Sequence, residues 1–383
     1  MTPSTPGFAF RLTAHDGQAR CALLTTPHGE VETPTFMPVG TQGSVKTLTP
    51  EEVAATGARV ILGNTYHLML RPGADTIAGL GGLHAFTRWS HAMLTDSGGF
   101  QAFSLGGGAG PSTRKLVDAD EQGFTFKSHL DGSVHILSPE EAVRVQGLLG
   151  ADIQMQLDVC PPGDATREIV EAAVARTMRW ARRAVGTPRP QRQALFGIVQ
   201  GGCFADLRRA HAEDLGALPF DGLALGGFSV GERIDRMHET LLEVVPSLDP
   251  ERPRYLMGVG TPTDLVVAIG AGVDMFDCVL PTRNARNGQA FTRFGRIVVK
   301  QARWHDDPRP LDEACSCACC SVGYSRAYLR HLYLAREILC LRLLSLHNLH
   351  FYGQLVAGAR AAIRHGGYAA WARSTISAMV SAP

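Results

Sequence analysis

Short apolar runs recur along most of the chain, and each ends in a polar residue or a glycine. There are eight, at residues 35–39, 59–64, 92–96, 152–158, 195–200, 222–227, 254–258 and 273–277. Stretches with helical spacing of apolar residues lie between most of them, at 50–56, 139–149, 167–185, 204–215, 233–245 and 262–271. Continuous apolar strands that alternate with helices predict parallel βα units.

Eight such units predict an α/β fold of the (β/α)8 barrel type. A doubly wound open sheet is the alternative, but no G-x-G-x-x-G follows the first strand. Two hairpins are predicted outside the barrel, at 8–31 and at 123–137, with turns at Asp16-Gly17 and Asp131-Gly132. A glycine-rich loop at 106–113 lacks the lysine and helix start of a phosphate-binding loop, and we interpret it as a flexible connection.

Polar residues at the ends of the predicted strands are candidates for function, because a barrel collects them at one mouth. They are Asn64, Asp96, Asp158, Gln200, Gly227 and Asp277. Three carboxylates in one place are hard to explain as packing, since burying an unpaired charge is costly. One could be a nucleophile at an anomeric carbon and another an acid and then a base. Phe100 and Met257 could flank a flat base, although isolated apolar residues more often belong to the core.

The formal net charge is only +1, so contact with a nucleic acid would require a local basic patch. Residues 278–305 contain no acidic residue, and their cations are Arg283, Arg286, Arg293, Arg296, Lys300 and Arg303. This run beside Asp277 favours chemistry on a nucleic acid or a phosphorylated sugar. The alternative is a structural ion pair from Asp277 to Arg283 or Arg286. Six arginines at 176–192 predict mainly a solvated helix face, with RNA binding as the alternative.

The cysteines indicate a metal rather than a disulfide scaffold, because four of the nine crowd into residues 315–320. Cys315, Cys317, Cys320 and His347 could form the closed tetrahedral zinc site of a structural Zn²⁺. His331 and His350 are rival fourth ligands. A site that uses Cys319 is disfavoured, because adjacent cysteines point poorly at one ion.

The chain has no apolar run of about 18 residues, and its start lacks the charged-then-apolar pattern of a signal peptide. We therefore expect a cytoplasmic protein with no membrane partner.

Six motifs together resemble one enzyme family, the bacterial, queuosine-type tRNA-guanine transglycosylases. They are TDSGGFQ at 95–101, FGIVQG at 196–201, GGFSVGE at 226–232, YLMG at 255–258, residues 274–287, and the cysteine–His347 module. The resemblance spans nearly the whole chain. It implies an irregular barrel with a C-terminal zinc-binding subdomain, and a homodimer. The implied reaction replaces guanine at wobble position 34 of GUN-anticodon tRNAs by a 7-deazaguanine.

The resemblance also implies a division of the chain and roles for individual residues. The barrel would occupy residues 1–300, the zinc subdomain 301–350, and a C-terminal helix completing the barrel 351–383. Asp277 would be the nucleophile and Asp96 the general acid/base, while Arg283 and Arg286 would hold the tRNA anticodon loop. The implied base pocket consists of Asp158, Gln200, Gly227, Phe228, Phe100, Met257, Tyr255, Asn64, Cys160 and Glu232.

Several residues depart from the family pattern. Phe100 stands where some relatives have Tyr, Phe228-Ser229 where Leu-Ala is usual, and Val159 where an acidic residue is common. The segment between Cys320 and Ser325 is one residue longer than usual. The loop at 106–113 is also longer than usual. The bulk of Phe228, together with Cys160, predicts that 7-aminomethyl-7-deazaguanine is preferred over queuine as the incoming base.

Overall fold

The computed structural model describes residues 5–106 and 117–380, so most of the glycine-rich loop at 106–113 lies outside the described residues. The strands are β1 (Ala9–Asp16), β2 (Ala19–Thr26), β3 (Gly29–Thr33), β4 (Thr35–Gly40), β5 (Val60–Gly63), β6 (Ala92–Thr95), β7 (Val117–Ala119), β8 (Phe124–Lys127), β9 (Val134–Leu137), β10 (Ile153–Met155), β11 (Ala194–Val199), β12 (Gly222–Leu225), β13 (Arg254–Leu256), β14 (Met275–Cys278), β15 (Gln289–Thr292) and β16 (Gly295–Val298). The helices are α1 (Pro50–Ala55), α2 (Thr65–Leu70), α3 (Ala74–Gly79), α4 (Gly82–Thr87), α5 (Gly99–Gly106), α6 (Pro139–Leu149), α7 (Arg167–Gly186), α8 (Ala205–Gly216), α9 (Ile234–Val244), α10 (Pro262–Ala271), α11 (Leu280–Arg286), α12 (Ala318–Ser321), α13 (Arg326–Leu334), α14 (Ile338–Arg364) and α15 (Tyr368–Val380).

The predicted (β/α)8 barrel is confirmed. Its strands follow one another in the order β4, β5, β6, β10, β11, β12, β13 and β14, and β14 pairs with β4 to close the ring. Every pair in the ring is parallel. The barrel strands are buried nearly throughout, as expected for parallel strands covered on both faces.

Alternate strand residues separate an inner core from an outer one. On β5, Val60 and Leu62 face the barrel interior, whereas Ile61 joins the layer between strands and helices. Leu24 and Val31 of the N-terminal sheet pack with the interior residues, and the ring of Phe8 lies 5.9 Å from that of Phe196. The N-terminal sheet therefore covers one end of the barrel and leaves the opposite mouth to carry function.

Both predicted hairpins exist, but each belongs to a larger sheet. The segment expected to be a hairpin at 8–31 is a three-stranded antiparallel sheet, β1-β2-β3, because residues 29–33 pair back onto β2 before the barrel begins. Strands β8 and β9 form the second hairpin, and β7 adds a third strand to it.

The 27-residue helix α14 links the cysteine-rich segment to the barrel. It packs against β4 and α11, and it runs without a break across residue 350, the boundary that the resemblance implied between the zinc subdomain and the last helix. None of the helices within the described ranges is both long and apolar enough to cross a membrane.

Candidate active site and metal centre

Asp277 lies on β14, close to its carboxyl end, and is 9% exposed. The hydroxyl of Tyr255 donates to its Oδ1 at 2.6 Å, and the backbone N–H of Gly258 donates to the same atom at 2.8 Å. Burial raises the pKa of Asp277, and these two hydrogen bonds oppose the shift. Asp277, Arg283 and Arg286 are all described, and Asp277 forms no ion pair with either arginine. The alternative that Asp277 serves only in a structural ion pair is therefore wrong. The other carboxylate oxygen of Asp277, Oδ2, accepts no hydrogen bond from the residues that the structure describes.

Asp96 follows β6, next to the strand end that carries Asn64. Its Oδ1 accepts from the N–H of Thr65 at 2.9 Å and from that of Gly98 at 3.2 Å, and Asn64 Nδ2 donates to Oδ2. Burial raises the pKa of Asp96 to about 7, and the negative charge of Asp277 adds to this, whereas the hydrogen bonds from Thr65, Gly98 and Asn64 lower it. A carboxyl that titrates near neutral pH can both donate and accept a proton.

Asp158 and Gln200 meet where β10 and β11 end. Gln200 Nε2 donates to Asp158 Oδ2 at 2.6 Å, and Gln200 Oε1 is buried without a hydrogen-bond partner among the described residues. Burial raises the pKa of Asp158 to about 6, although the bond from Gln200 opposes the shift. The pair therefore presents an amide oxygen and a carboxylate that a ligand with N–H groups could satisfy.

The segment that follows β12 approaches this pair through glycine. Gly227 has a φ of +68°, and a Cβ at that position would lie 2.3 Å from Gln200 Oε1, so no other residue fits there. Glu232 accepts from the backbone N–H groups of Ser229 and Val230, the second at 2.9 Å, and so fixes the peptides beyond Gly227.

The ring of Phe228 does not project into open space. It is 3% exposed and packs against Arg208, whose Cζ lies 3.7 Å from the ring centroid. The expectation that its bulk narrows the pocket is therefore not supported, because the buried guanidinium attracts the ring inward.

Phe100 and Cys160 line a cavity of about 330 Å³ beside Asp158, together with Phe124, Pro161, Ile169 and Arg176. Phe100 is 50% exposed, so much of its side chain is accessible from this cavity or from solvent. Burial raises the pKa of the Cys160 thiol to about 12, so that it remains neutral. Met257 follows β13 and is partly buried against the barrel interior.

The two arginines of α11 lie directly beyond Asp277. Arg283 is exposed, whereas Arg286 is half-buried and its Nη1 has no hydrogen-bond partner within the described chain. Burial lowers the pKa of Arg286, and the charge of Arg283 contributes to this. On α7, by contrast, Arg179 and Arg183 form ion pairs with Glu121 and Glu140 at 2.8 and 2.7 Å, consistent with a solvated helix face.

The sulfur atoms of Cys315, Cys317 and Cys320 converge on His347 Nδ1, at 3.7, 3.4 and 3.4 Å respectively. Ligands of a tetrahedral zinc ion lie about 3.6 Å apart in such a set, given its usual bond lengths. His347 Nε2 donates to the carbonyl of Phe291 at 2.8 Å, which leaves Nδ1 free to bind metal. The donor set therefore fits a structural metal ion.

None of the rival ligands joins this cluster of described residues. His350 instead contacts Ser316 Oγ at 3.1 Å, and His331 is exposed on α13. Cys319 is fully buried among apolar neighbours.

A second group, His28, His84 and Asp152, lies at the covered end of the barrel. The two imidazole rings stack with centroids 3.5 Å apart and planes at 12°. Parallel rings cannot direct their lone pairs at one ion, and each ring already bonds one oxygen of Asp152, at 2.7 and 3.2 Å. We interpret this group as a hydrogen-bonded cluster.

Arg208 and His211 were not anticipated from the sequence. Both are buried on α8, where His211 Nδ1 accepts from the N–H of Gln200 at 3.0 Å. The only available signal was their spacing, because Arg208, His211, Ala212 and Leu215 share the inner face of the helix.

Comparison with known proteins agrees with this geometry. Residues 16–381 match the family model described as queuine tRNA-ribosyltransferase. A queuine tRNA-ribosyltransferase of Sorangium cellulosum is 68% identical over 374 residues, which cover 98% of this chain and 93% of the relative. Those of Solidesulfovibrio magneticus and Cereibacter sphaeroides are 53% and 54% identical, with 96% and 94% of both chains covered. The chain belongs to the queuine tRNA-ribosyltransferase family, the tRNA-guanine transglycosylases.

Proposed function

We propose that this transglycosylase exchanges guanine at position 34 of GUN-anticodon tRNAs for 7-aminomethyl-7-deazaguanine, in queuosine biosynthesis, through a covalent tRNA intermediate. The main support is the meeting of two differently held carboxylates, Asp277 and Asp96, at one barrel mouth. Within the described part of the chain, one oxygen of Asp277 accepts no hydrogen bond, and burial raises the pKa of Asp96 to about 7.

In the first step, the carboxylate of Asp277 attacks C1′ of ribose 34, and the bond from C1′ to the guanine nitrogen breaks. Asp96 gives its proton to the departing guanine. In the second step, the incoming base loses its proton to Asp96 and attacks C1′, and the ester bond to Asp277 breaks. Both carboxyl groups thus return to their starting states, and the configuration at C1′ is retained.

Base recognition is assigned to the remaining mouth residues. Asp158 and the Oε1 of Gln200 would accept N–H donors of the base, while the Gly227 N–H would bind its carbonyl oxygen. Phe100 and Met257 would stack on its two faces, and Asn64 and Tyr255 would hold the two catalytic carboxylates. Because the target base must leave the RNA stack to reach this site, Arg283 and Arg286 would bind phosphates of the anticodon loop on either side.

The direct test is the incorporation of labelled guanine into unmodified tRNA. We expect exchange with tRNAs whose anticodon begins with G followed by U, and none when guanine 34 is replaced. Exchange at another position, or none in the presence of any base, would contradict the proposal.

Exchange should depend on pH through Asp96. As the acid, Asp96 must be protonated, and burial raises its pKa to about 7, so kcat/KM for tRNA should fall as the pH rises beyond that value. The fall should approach tenfold per pH unit, because kcat/KM reports the protonation state of the free enzyme. The affinity for tRNA over the same range serves as the control. A kcat/KM that stays level between pH 7 and 9 would remove Asp96 from the acid role.

Arg283→Ala and Arg286→Ala should each weaken binding of tRNA while leaving the affinity for the free base unchanged. Contact with phosphates releases counterions, so each lost arginine should reduce the slope of log affinity against log salt by about 1. Arg179→Ala is the matched control, because that side chain is already paired with Glu121. Slopes that match the wild type in both α11 variants would exclude the phosphate contacts.

In competition, the aminomethyl base should be incorporated faster than queuine. Cys160 would crowd the cyclopentenediol of queuine, whereas the Phe228–Ser229 peptide, held by Glu232, would offer the carbonyl of Phe228 to a short aminomethyl arm. One extra methylene is worth only about 1–3 kcal/mol of discrimination, but a bulky group can be rejected by a packed wall. Cys160→Gly should narrow the difference between the two bases. Equal or faster use of queuine by the wild type would overturn the preference.

We further propose a zinc ion at the Cys315–Cys317–Cys320–His347 cluster, a cytoplasmic homodimer, and the domain division at residues 300 and 350. Exposed apolar side chains on and between the helices α12–α14 support a dimer, and the most exposed of them are Val322 (68%) and Ile338 (73%). A molar mass of one chain in light scattering at assay concentrations would contradict the dimer.

A further inference from the structure

A buried guanidinium lies behind the base pocket. Arg208 is 0% exposed, and it has no carboxylate partner among the residues that the structure describes. Burial lowers the pKa of Arg208 to about 10, so it still carries its charge at neutral pH. Glu232 attracts this charge but forms no ion pair with it among the described residues, and a buried cation that lacks a paired carboxylate is costly. A use for the charge would account for that cost.

Within the described residues, the hydrogen bonds of Arg208 all go to backbone carbonyls that surround the pocket. Nε donates to Gly202 O at 2.6 Å and Nη1 to Val199 O at 3.2 Å, beside Gln200. Nη2 donates to Gly226 O at 2.9 Å and to Gly227 O at 3.4 Å. Arg208 therefore ties together the ends of β11 and β12, which carry the proposed base-binding groups.

Because Arg208 holds the carbonyl of Gly226, it also fixes the direction of the N–H on the same peptide, which belongs to Gly227. A trans peptide is planar, and its C=O and N–H point in opposite directions. With its carbonyl held by a cation, the peptide between Gly226 and Gly227 must direct the Gly227 N–H away from Arg208. Gly227 also lies against the side-chain amide of Gln200, since a Cβ on Gly227 would be 2.3 Å from Gln200 Oε1. A cation on the carbonyl also makes that N–H a stronger donor.

We propose that Arg208 is a positioning residue which strengthens the Gly227 N–H as a donor, and so stabilises the negative charge that a purine carries as its bond to C1′ breaks or forms. The inference rests on the proposed function, in which this N–H meets the carbonyl edge of the base. Purine anions place much of their charge on that oxygen. A fixed donor aimed at developing charge is typically worth about 10²–10³ in rate, and an effect relayed through one peptide should be smaller.

The test compares two leaving bases. Anticodon stem-loop RNAs carrying either guanine or 8-azaguanine at position 34 are mixed with excess enzyme, and the covalent adduct is followed on denaturing gels. The ring nitrogen of 8-azaguanine is more acidic, so that base leaves with less help. Arg208→Met should slow adduct formation roughly 10- to 100-fold with guanine, and clearly less with 8-azaguanine. A merely structural defect would slow both reactions by the same factor.

Arg209→Met is the matched control, because Arg209 is next to Arg208 in the chain but its side chain is exposed and paired with Glu243. It should leave both rates unchanged. Arg208→Lys keeps the positive charge but loses the several N–H donors of the guanidinium. Its slowing of adduct formation should therefore depend on the leaving base in the same way, but less strongly. This variant replaces Arg208→Met in the test if the Met variant does not fold. Equal slowing with both bases overturns the role of Arg208. An absence of adduct with the wild-type enzyme overturns the proposed function instead.

Discussion

Asp277→Asn should abolish exchange and the covalent tRNA adduct, with a loss of about 10⁴-fold or more, as when a nucleophile is removed from other enzymes that act through one. An amide is too poor a nucleophile to displace guanine from C1′. The fold should survive, because the Asn Oδ1 can still accept the bonds that Tyr255 and Gly258 now donate to Asp277. Exchange is measured with labelled guanine and the adduct on denaturing gels.

Two controls make this result specific to the nucleophile. Binding of the free 7-deazaguanine, measured by calorimetry, should be nearly unchanged in Asp277→Asn. Tyr255→Phe retains the carboxylate and should still form the adduct, more slowly, since one hydrogen bond to the ionised form is lost. Exchange at a near-normal rate in Asp277→Asn would mean that another group attacks C1′.

Cys317→Ala or His347→Ala should release the metal and strongly lower the melting temperature and soluble yield. Structural zinc contributes about 10–16 kcal/mol of binding free energy in zinc-finger peptides, and a site with three ligands keeps only part of it. His347 is 1% exposed, so its loss would also leave a cavity on α14. Metal content by mass spectrometry and thermal unfolding are the measurements.

The chain offers matched controls for both ligands. Cys319→Ala changes a buried cysteine next to the cluster, and His350→Ala changes a histidine one turn of α14 beyond His347. Both should retain one equivalent of zinc. If His350→Ala loses the metal while His347→Ala keeps it, the fourth ligand is wrongly assigned.

The barrel could be predicted because its strands are buried on both faces, so that each reads as a continuous apolar run. Helices with strong end signals were also predicted closely. Helix α10 begins after the capping residue Thr261, with Pro262 in its first turn, and ends before Gly272 in the left-handed conformation. The short helices α2–α4 and the strands β3 and β7 were missed, because they have too few residues to establish a period.

Strand ends pointed to Asp96, Asp158 and Asp277, since a barrel gathers such residues whatever the details of its packing. Their environments were not visible in the sequence. The bond from Gly258 to Asp277 comes from a backbone N–H, which any residue possesses. The inward turn of Phe228 depends on Arg208, which reaches it from another element of the fold. Such long-range contacts leave no local pattern.

The seam of the barrel sets the order in which the molecule can be completed. Strand β4, the first of the ring, pairs with β14, the last, and is covered by α14. A chain emerging from the ribosome therefore cannot close the ring until β14, which carries Asp277, has been synthesised, and it cannot cover the closed seam until α14 follows. Before β14 is made, β4 has an unpaired edge, and before α14 is made its outer face lacks its cover; exposed strand edges and apolar surface of this kind favour aggregation. Premature termination before α14 should therefore yield insoluble chains rather than a weakened enzyme.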